Sequence, residues 1–122
     1  MAHVTVNPYK SCVVVEITTP SLMDPIELEA LGDDLYRLVD DQDQRRLVLD
    51  FGQVQYISSQ AIGILAKLHR KLSTLKGGLL ILCNLSPRLL ELLRIVRFDK
   101  LITIKPTQVE AIRHFERMKA LG

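Results

Sequence analysis

Apolar positions along the chain switch between two spacings, and each switch predicts an element. Short β-forming runs come first, Val4-Thr5-Val6 and then Cys12 to Ile17, with Asn7-Pro8 between them as a turn signal, so a β-hairpin is expected. Asp24-Pro25-Ile26-Glu27 follows, an Asp suited to capping, a Pro suited to the first helical position and a Glu in the first turn. Leu28, Leu31, Leu35 and Leu38 then recur at helical spacing, the mark of one buried face, until the polar Asp40-Asp41-Gln42-Asp43 connection.

Leu47-Val48-Leu49-Asp50-Phe51 is a short, nearly continuous apolar run of the kind a central parallel strand needs. Ser58-Ser59 precedes a long helical pattern with Ala61, Leu65, Leu68, Leu72 and Leu75 on one face, and Gly77-Gly78 is expected to end that helix with a left-handed cap. Leu79 to Cys83 reads as another buried strand. Ser86-Pro87 repeats the cap-plus-proline signal and opens a helix through Leu89, Leu90, Leu93 and Val96. Leu101-Ile102-Thr103-Ile104 is a last strand, and Thr107-x-x-Glu110 is a capping box for a C-terminal helix carrying Val109, Ile112 and Phe115.

The order β-β-α-β-α-β-α-β-α calls for right-handed crossovers and a parallel sheet covered by helices. The expected architecture is α/β: a mixed, mostly parallel sheet with an N-terminal β-hairpin and about four helices packed on it. At 122 residues the chain suffices for one core and leaves no room for a second domain of ordinary size, so residues 1–122 are read as one domain.

Composition narrows the function classes. With 48% apolar and 25% charged residues the chain matches a soluble globular protein rather than a disordered one. Its net charge of +2 is too weak an electrostatic footprint to argue for nucleic acid. Cys12 and Cys83 each sit among apolar β-forming neighbours and read as buried free thiols, which fits a reducing compartment. Met1-Ala2-His3-Val4 lacks the basic and then apolar segments of a signal peptide, and no apolar run approaches the roughly 18 residues of a membrane span. A cytoplasmic protein with no membrane partner is expected.

No phosphate-binding glycine loop, dinucleotide fingerprint, C-x-x-C pair or H-E-x-x-H helix occurs, so neither an enzyme nor a cofactor is indicated. His69 and His114 fall among charged residues on predicted helices and read as solvated. The acidic groups Asp33-Asp34 and Asp40-Asp41-Asp43 read the same way, and Asp24 as a helix cap. Asp50 ends a predicted central strand, where ligand or partner sites of open parallel sheets collect; a structural role is the plainer reading. Lys67, Arg70, Lys71 and Lys76 are expected on the outward side of the second helix, either to solvate it or to dock a partner.

The strongest local feature is Tyr56-Ile57-Ser58-Ser59-Gln60-Ala61-Ile62-Gly63. It leads from a strand end to a helix N-terminus, whose unpaired N–H groups and positive dipole end welcome a hydroxyl cap or a phosphate. The bland reading is a cap, with Ser59 supplying it.

This stretch, with Leu47 to Phe51 before it and Gly77-Gly78-x-Leu80 and Leu85-Ser86-Pro87 after it, resembles the STAS domains, in particular the bacterial anti-sigma factor antagonists. The resemblance runs from the opening hairpin to the last helix. The family motif Asp-Ser-Ser/Thr-Gly-Leu-Gly falls on Ser58 to Gly63: Ser58 stands in place of the aspartate, Ser59 at the phosphorylated serine, Gln60 at the second hydroxyl residue and Ala61 at the first glycine, while Ile62 and Gly63 fit. The resemblance implies a partner-switching module in transcription control. Its partner would be an anti-sigma factor with serine kinase activity, bound by the unmodified domain and released on phosphorylation of Ser59, with Ser58 the lesser candidate acceptor. The implied contact residues are Asp24, Ser58, Ser59, Gln60, Ile62, Gly63 and Lys67. The alternatives are a non-phosphorylated STAS scaffold or adaptor subunit of a signalling or transport complex, and a small enzyme or nucleotide-binding protein. The oligomeric state stays open between monomer and weak dimer.

Overall fold

Strands β1 (Val4–Pro8) and β2 (Val13–Ile17) pair antiparallel from Val4↔Ile17 to Pro8↔Val13, the hairpin expected, in a computed structural model that describes residues 3–121. Met1 and Ala2, part of the N-terminal stretch considered for a leader, lie outside the described residues. Asn7-Pro8 is not the turn: both belong to β1, and the turn is Tyr9–Ser11, closed by the Tyr9 N–H donating to the Cys12 carbonyl at 2.8 Å. Pro8 is tolerated because β1 is an edge strand, where a missing N–H breaks no second ladder.

The remaining elements are β3 (Ser21–Leu22), α1 (Pro25–Asp40), β4 (Arg46–Asp50), β5 (Tyr56–Ile57), α2 (Ser59–Ser73), β6 (Leu79–Cys83), α3 (Pro87–Ile95), a short 3-10 turn (Phe98–Lys100), β7 (Thr103–Lys105) and α4 (Gln108–Leu121). The main sheet runs β1-β2-β4-β6-β7, and every pairing after the hairpin is parallel. Parallel neighbours need crossovers, which α1, α2 and α3 supply.

Alternation along the central strands divides the core in two. Val13, Val15, Leu47, Leu49, Leu80 and Leu82 face one side, where they meet leucines of α1, α2 and α3 such as Leu28, Leu35, Leu65, Leu68, Leu89 and Leu93. Val14, Val48 and Ile81, side by side in register, face the other with Cys83 and are covered by Ala111 and Phe115 of α4. Both faces are thus closed, which is why these strands read as unbroken apolar runs.

Several boundaries differ from expectation. Helix α2 ends at Ser73 with Thr74 in right-handed geometry, so the glycines do not cap it. Gly77, at φ +74°, instead makes the turn into β6, and a Cβ on Gly78 would run into the Leu72 carbonyl oxygen. Val96 lies beyond α3 and is exposed, β7 starts only at Thr103, and Val109 points outward while Ala111 takes its place in the core. Val96 and Val109 are apolar residues at helix ends, where helical spacing alone does not guarantee burial.

Candidate functional site at the start of the second long helix

Between β4 and α2 a small clasp fixes the path of the chain. Gln55 and Tyr56 donate their N–H groups to the Pro20 carbonyl at 2.8 and 3.2 Å, and Ser58 donates to the Leu22 carbonyl at 3.0 Å. Thus β3 and β5 form a second, parallel sheet with Ser21 opposite Tyr56 and Leu22 opposite Ile57. Sequence reading missed this clasp, because a two-residue strand is too short to show alternation. Its effect is to bring the N-termini of α1 and α2 together, where Gln60 Nε2 donates to the Pro25 carbonyl at 3.3 Å.

The helix cap is Ser58, not Ser59. Ser58 is extended (φ −97°, ψ 169°) and its Oγ accepts from the Ala61 N–H at 3.2 Å, while Ser59 is already the first helical residue. Serine is a strong N-cap, so the residue that stands in place of the family aspartate fixes the start of α2. Ser59 is exposed, and the N–H groups of Ser59 and Gln60 are unpaired among the described residues, as expected of a first helical turn.

The other implied contact residues fall into distinct settings. Asp24 caps α1, its Oδ1 accepting from Ile26 and Glu27 at 2.8 and 3.3 Å. Ile62 packs partly into the core. Gly63 is exposed, and a Cβ there would meet nothing within 4 Å. Lys67 does not stand free: its ammonium lies 4.6 Å from the centre of the Tyr36 ring on α1, with Lys71 at 5.4 Å from the same ring and 2.8 Å from Asp40. These lysines seal the α1–α2 seam, and Lys76 lies past the helix end rather than on its outer face.

Beside this helix start is uncovered apolar surface. Ile26 is 81% exposed, Met23 51% and Tyr56 46%. A groove of about 470 Å³ runs between β5 and α3, lined by Met23, Tyr56, Ile57, Leu92 and Ile95, and Arg88 stacks over Tyr56 at 5.0 Å.

Asp50 carries the structural role preferred for it. Its carboxylate is nearly buried and accepts from the Gly52 N–H at 2.8 Å, from Asn84 Nδ2 at 3.1 Å to each oxygen, and from Gln108 Nε2 at 2.7 Å. The ends of β4 and β6 and the start of α4 are tied at one point. Asn84 reaches it from a left-handed conformation, φ 56°.

Cys12 and Cys83 are buried free thiols, as expected. Burial first, then the Asp50 and Glu16 carboxylates, pushes the Cys83 thiol up to about 12, and burial raises Cys12 as well. His114 is partly exposed among charged residues, its ring edge-on to Phe115 at 6.2 Å, and burial, then Lys105 and Arg117, lowers its pKa. Among the described residues no helix is long and apolar enough to cross a membrane.

Comparison with known proteins agrees with this geometry. The family model of the STAS domain matches residues 3–111. BtrV of Bordetella bronchiseptica, which carries the name of an anti-sigma factor antagonist, is 30% identical over 76 residues, an alignment that spans 62% of this chain and 65% of BtrV. An anti-sigma-factor antagonist (STAS) domain protein from Planctomyces limnophilus superimposes with a TM-score of 0.81 at 20% identity, covering 94% of this chain and 98% of that one. The phosphorylated form of the Bacillus cell fate determinant SpoIIAA gives 0.70 at 18% identity, over 91% and 97% of the two chains. The family-model match over residues 3–111 places one conclusion on the chain: it belongs to the STAS domain family.

Proposed function

We propose that this chain is a protein-docking module of the anti-sigma factor antagonist type, and that phosphorylation of Ser59 controls the contact. The observation that carries the reading is the division of labour at the start of α2. Ser58 holds the cap, so Ser59 is exposed and costs the fold nothing to modify. Uncovered Met23, Ile26 and Tyr56 nearby supply the apolar surface a partner would bury.

A phosphate on Ser59 adds about −1.5 to −2 charges at the positive end of a helix dipole. The helix tolerates that charge, whereas a partner seated on the apolar residues beside it does not. The switch is then local electrostatics, without refolding. BtrV bears the antagonist name and SpoIIAA has been solved phosphorylated, which supports this reading. The partner is an anti-sigma factor with serine kinase activity.

The test is capture of partners from the source cells on the unmodified protein, with mass spectrometry of the Ser58-Ser59 peptide. A kinase-type partner together with phosphate on Ser59 is the expected result. A stable assembly in which Ser59 stays unmodified overturns the switch and favours a scaffold subunit.

A further inference from the structure

Three connections enter the parallel strands at the end of the sheet opposite Ser59: the Tyr9–Ser11 turn before β2, Asp43–Arg45 before β4, and Lys76–Gly77 before β6. Together they enclose a groove of about 420 Å³ whose charged lining is Lys10, Arg45, Arg46, Lys76 and Asp43. The single carboxylate is already engaged, Asp43 Oδ1 lying 3.0 Å from Arg45 Nε. Arg45 is fixed further by donating from Nη1 to the Lys76 carbonyl at 3.3 Å. Lys10, Arg46 and Lys76 have no carboxylate partner among the described residues. A concave site with three uncompensated cations focuses positive potential and seeks an anion.

Across the Tyr9-Lys10-Ser11 ridge lies a second groove of about 520 Å³, whose apolar side is Tyr9, Ile112 and Ala120 and whose charged lining is Lys10, Lys119 and the carboxylate Glu116, so it suits the apolar residues of a segment rather than its acidic ones. Lys119 on its rim donates to the Lys10 carbonyl at 3.4 Å and steadies the ridge, while Tyr9 is 49% exposed at the crest. A small phosphorylated compound would fill the first groove and leave the second empty. The cations, moreover, are side chains spread over three loops, a layout that suits several separated carboxylates better than one compact phosphate.

We propose that the two adjoining grooves form a second docking surface, for a protein segment in which acidic residues adjoin apolar ones. Because it lies at the far end of the sheet from Ser59, this segment binds alongside the Ser59 partner, and the domain bridges the two. The inference does not depend on phosphorylation of Ser59.

The experiment is an NMR titration of the full chain with a synthetic peptide of four glutamates followed by two leucines, run beside sodium pyrophosphate. Saturable shifts at Tyr9–Ser11, Arg45, Arg46 and Lys76 are expected, with the Ser59 end unmoved. The double variant Lys10→Glu, Lys76→Glu, at two exposed positions, should bind the peptide at least about tenfold more weakly, and added salt should weaken the wild type. No saturable shift at this end, or equal binding by the double variant, overturns the proposal. So does pyrophosphate reproducing the shifts when the peptide does not, since that assigns the groove to a phosphate compound.

Discussion

Ser58 Oγ accepts the Ala61 N–H at 3.2 Å, and this one bond decides what its neighbour Ser59 is free to do. The two adjacent serines differ in setting: Ser58 caps the helix and Ser59 is exposed in its first turn. Ser58→Ala should therefore cost about 1 kcal/mol of stability, the usual worth of an N-cap. Ser59→Ala should fall within about 0.5 kcal/mol of wild type, as exposed substitutions do. Urea unfolding of both variants checks this, and the reverse order would mean that Ser59 is the cap.

Gly63 sits on an exposed helical face with nothing near its missing Cβ, so packing within the domain does not require it. Gly63→Ala should stabilise the domain by about 0.5–1 kcal/mol, because a mid-helix glycine has backbone entropy to lose. If the partner approaches this face closely, the same change weakens its binding. Thermal unfolding together with a pull-down reads both effects, and a gain in stability with no loss of capture would remove Gly63 from the interface.

Asp50 is the common acceptor for Gly52, Asn84 and Gln108. Asp50→Ala should destabilise by about 2–3 kcal/mol, since it strands several donors at once and removes charge-assisted bonds. Gln108→Ala, which removes one donor, should cost about 1 kcal/mol. Chemical denaturation separates the two, and hydrogen exchange should show the start of α4 loosened in both.

The buried thiols set a pH limit. Folding raises Cys83 from an ordinary 9.0 to about 12 and raises Cys12 in the same direction. Between those values the unfolded chain has released protons that the folded chain still holds, so rising pH favours unfolding. The thiol contribution is fully present below pH 9 and is lost progressively toward pH 12, at up to about 1.4 kcal/mol per pH unit for one thiol. Urea midpoints from pH 8 to 10.5 should fall, and the fall should be shallower in Cys12→Ala, Cys83→Ala. Equal slopes would mean that the thiols do not resist ionisation.

Much of this was legible in the sequence because the signals were long or chemically specific. Leu28, Leu31, Leu35 and Leu38 repeat often enough to fix a helix face, and the Asp24-Pro25 and Ser86-Pro87 pairs mark helix starts that the structure keeps. The family motif located Ser59 at the start of α2. What stayed hidden depends on contacts distant in sequence. The β3–β5 clasp joins segments 35 residues apart through strands of two residues each. Gln108 reaches Asp50 across 58 positions, and Lys67 meets Tyr36 from a different helix. Which of two adjacent serines caps a helix turns on one residue's backbone angle, a quantity that spacing does not encode.

The most direct measurement of the central claim is the affinity of the captured partner for the unmodified protein and for the same protein carrying phosphate on Ser59, with far-UV circular dichroism recorded for both. An affinity at least about tenfold weaker for the phosphorylated form, about 1.4 kcal/mol, with identical spectra is the predicted result. Equal affinities, or a loss of affinity accompanied by loss of helix, would contradict a local electrostatic switch at Ser59.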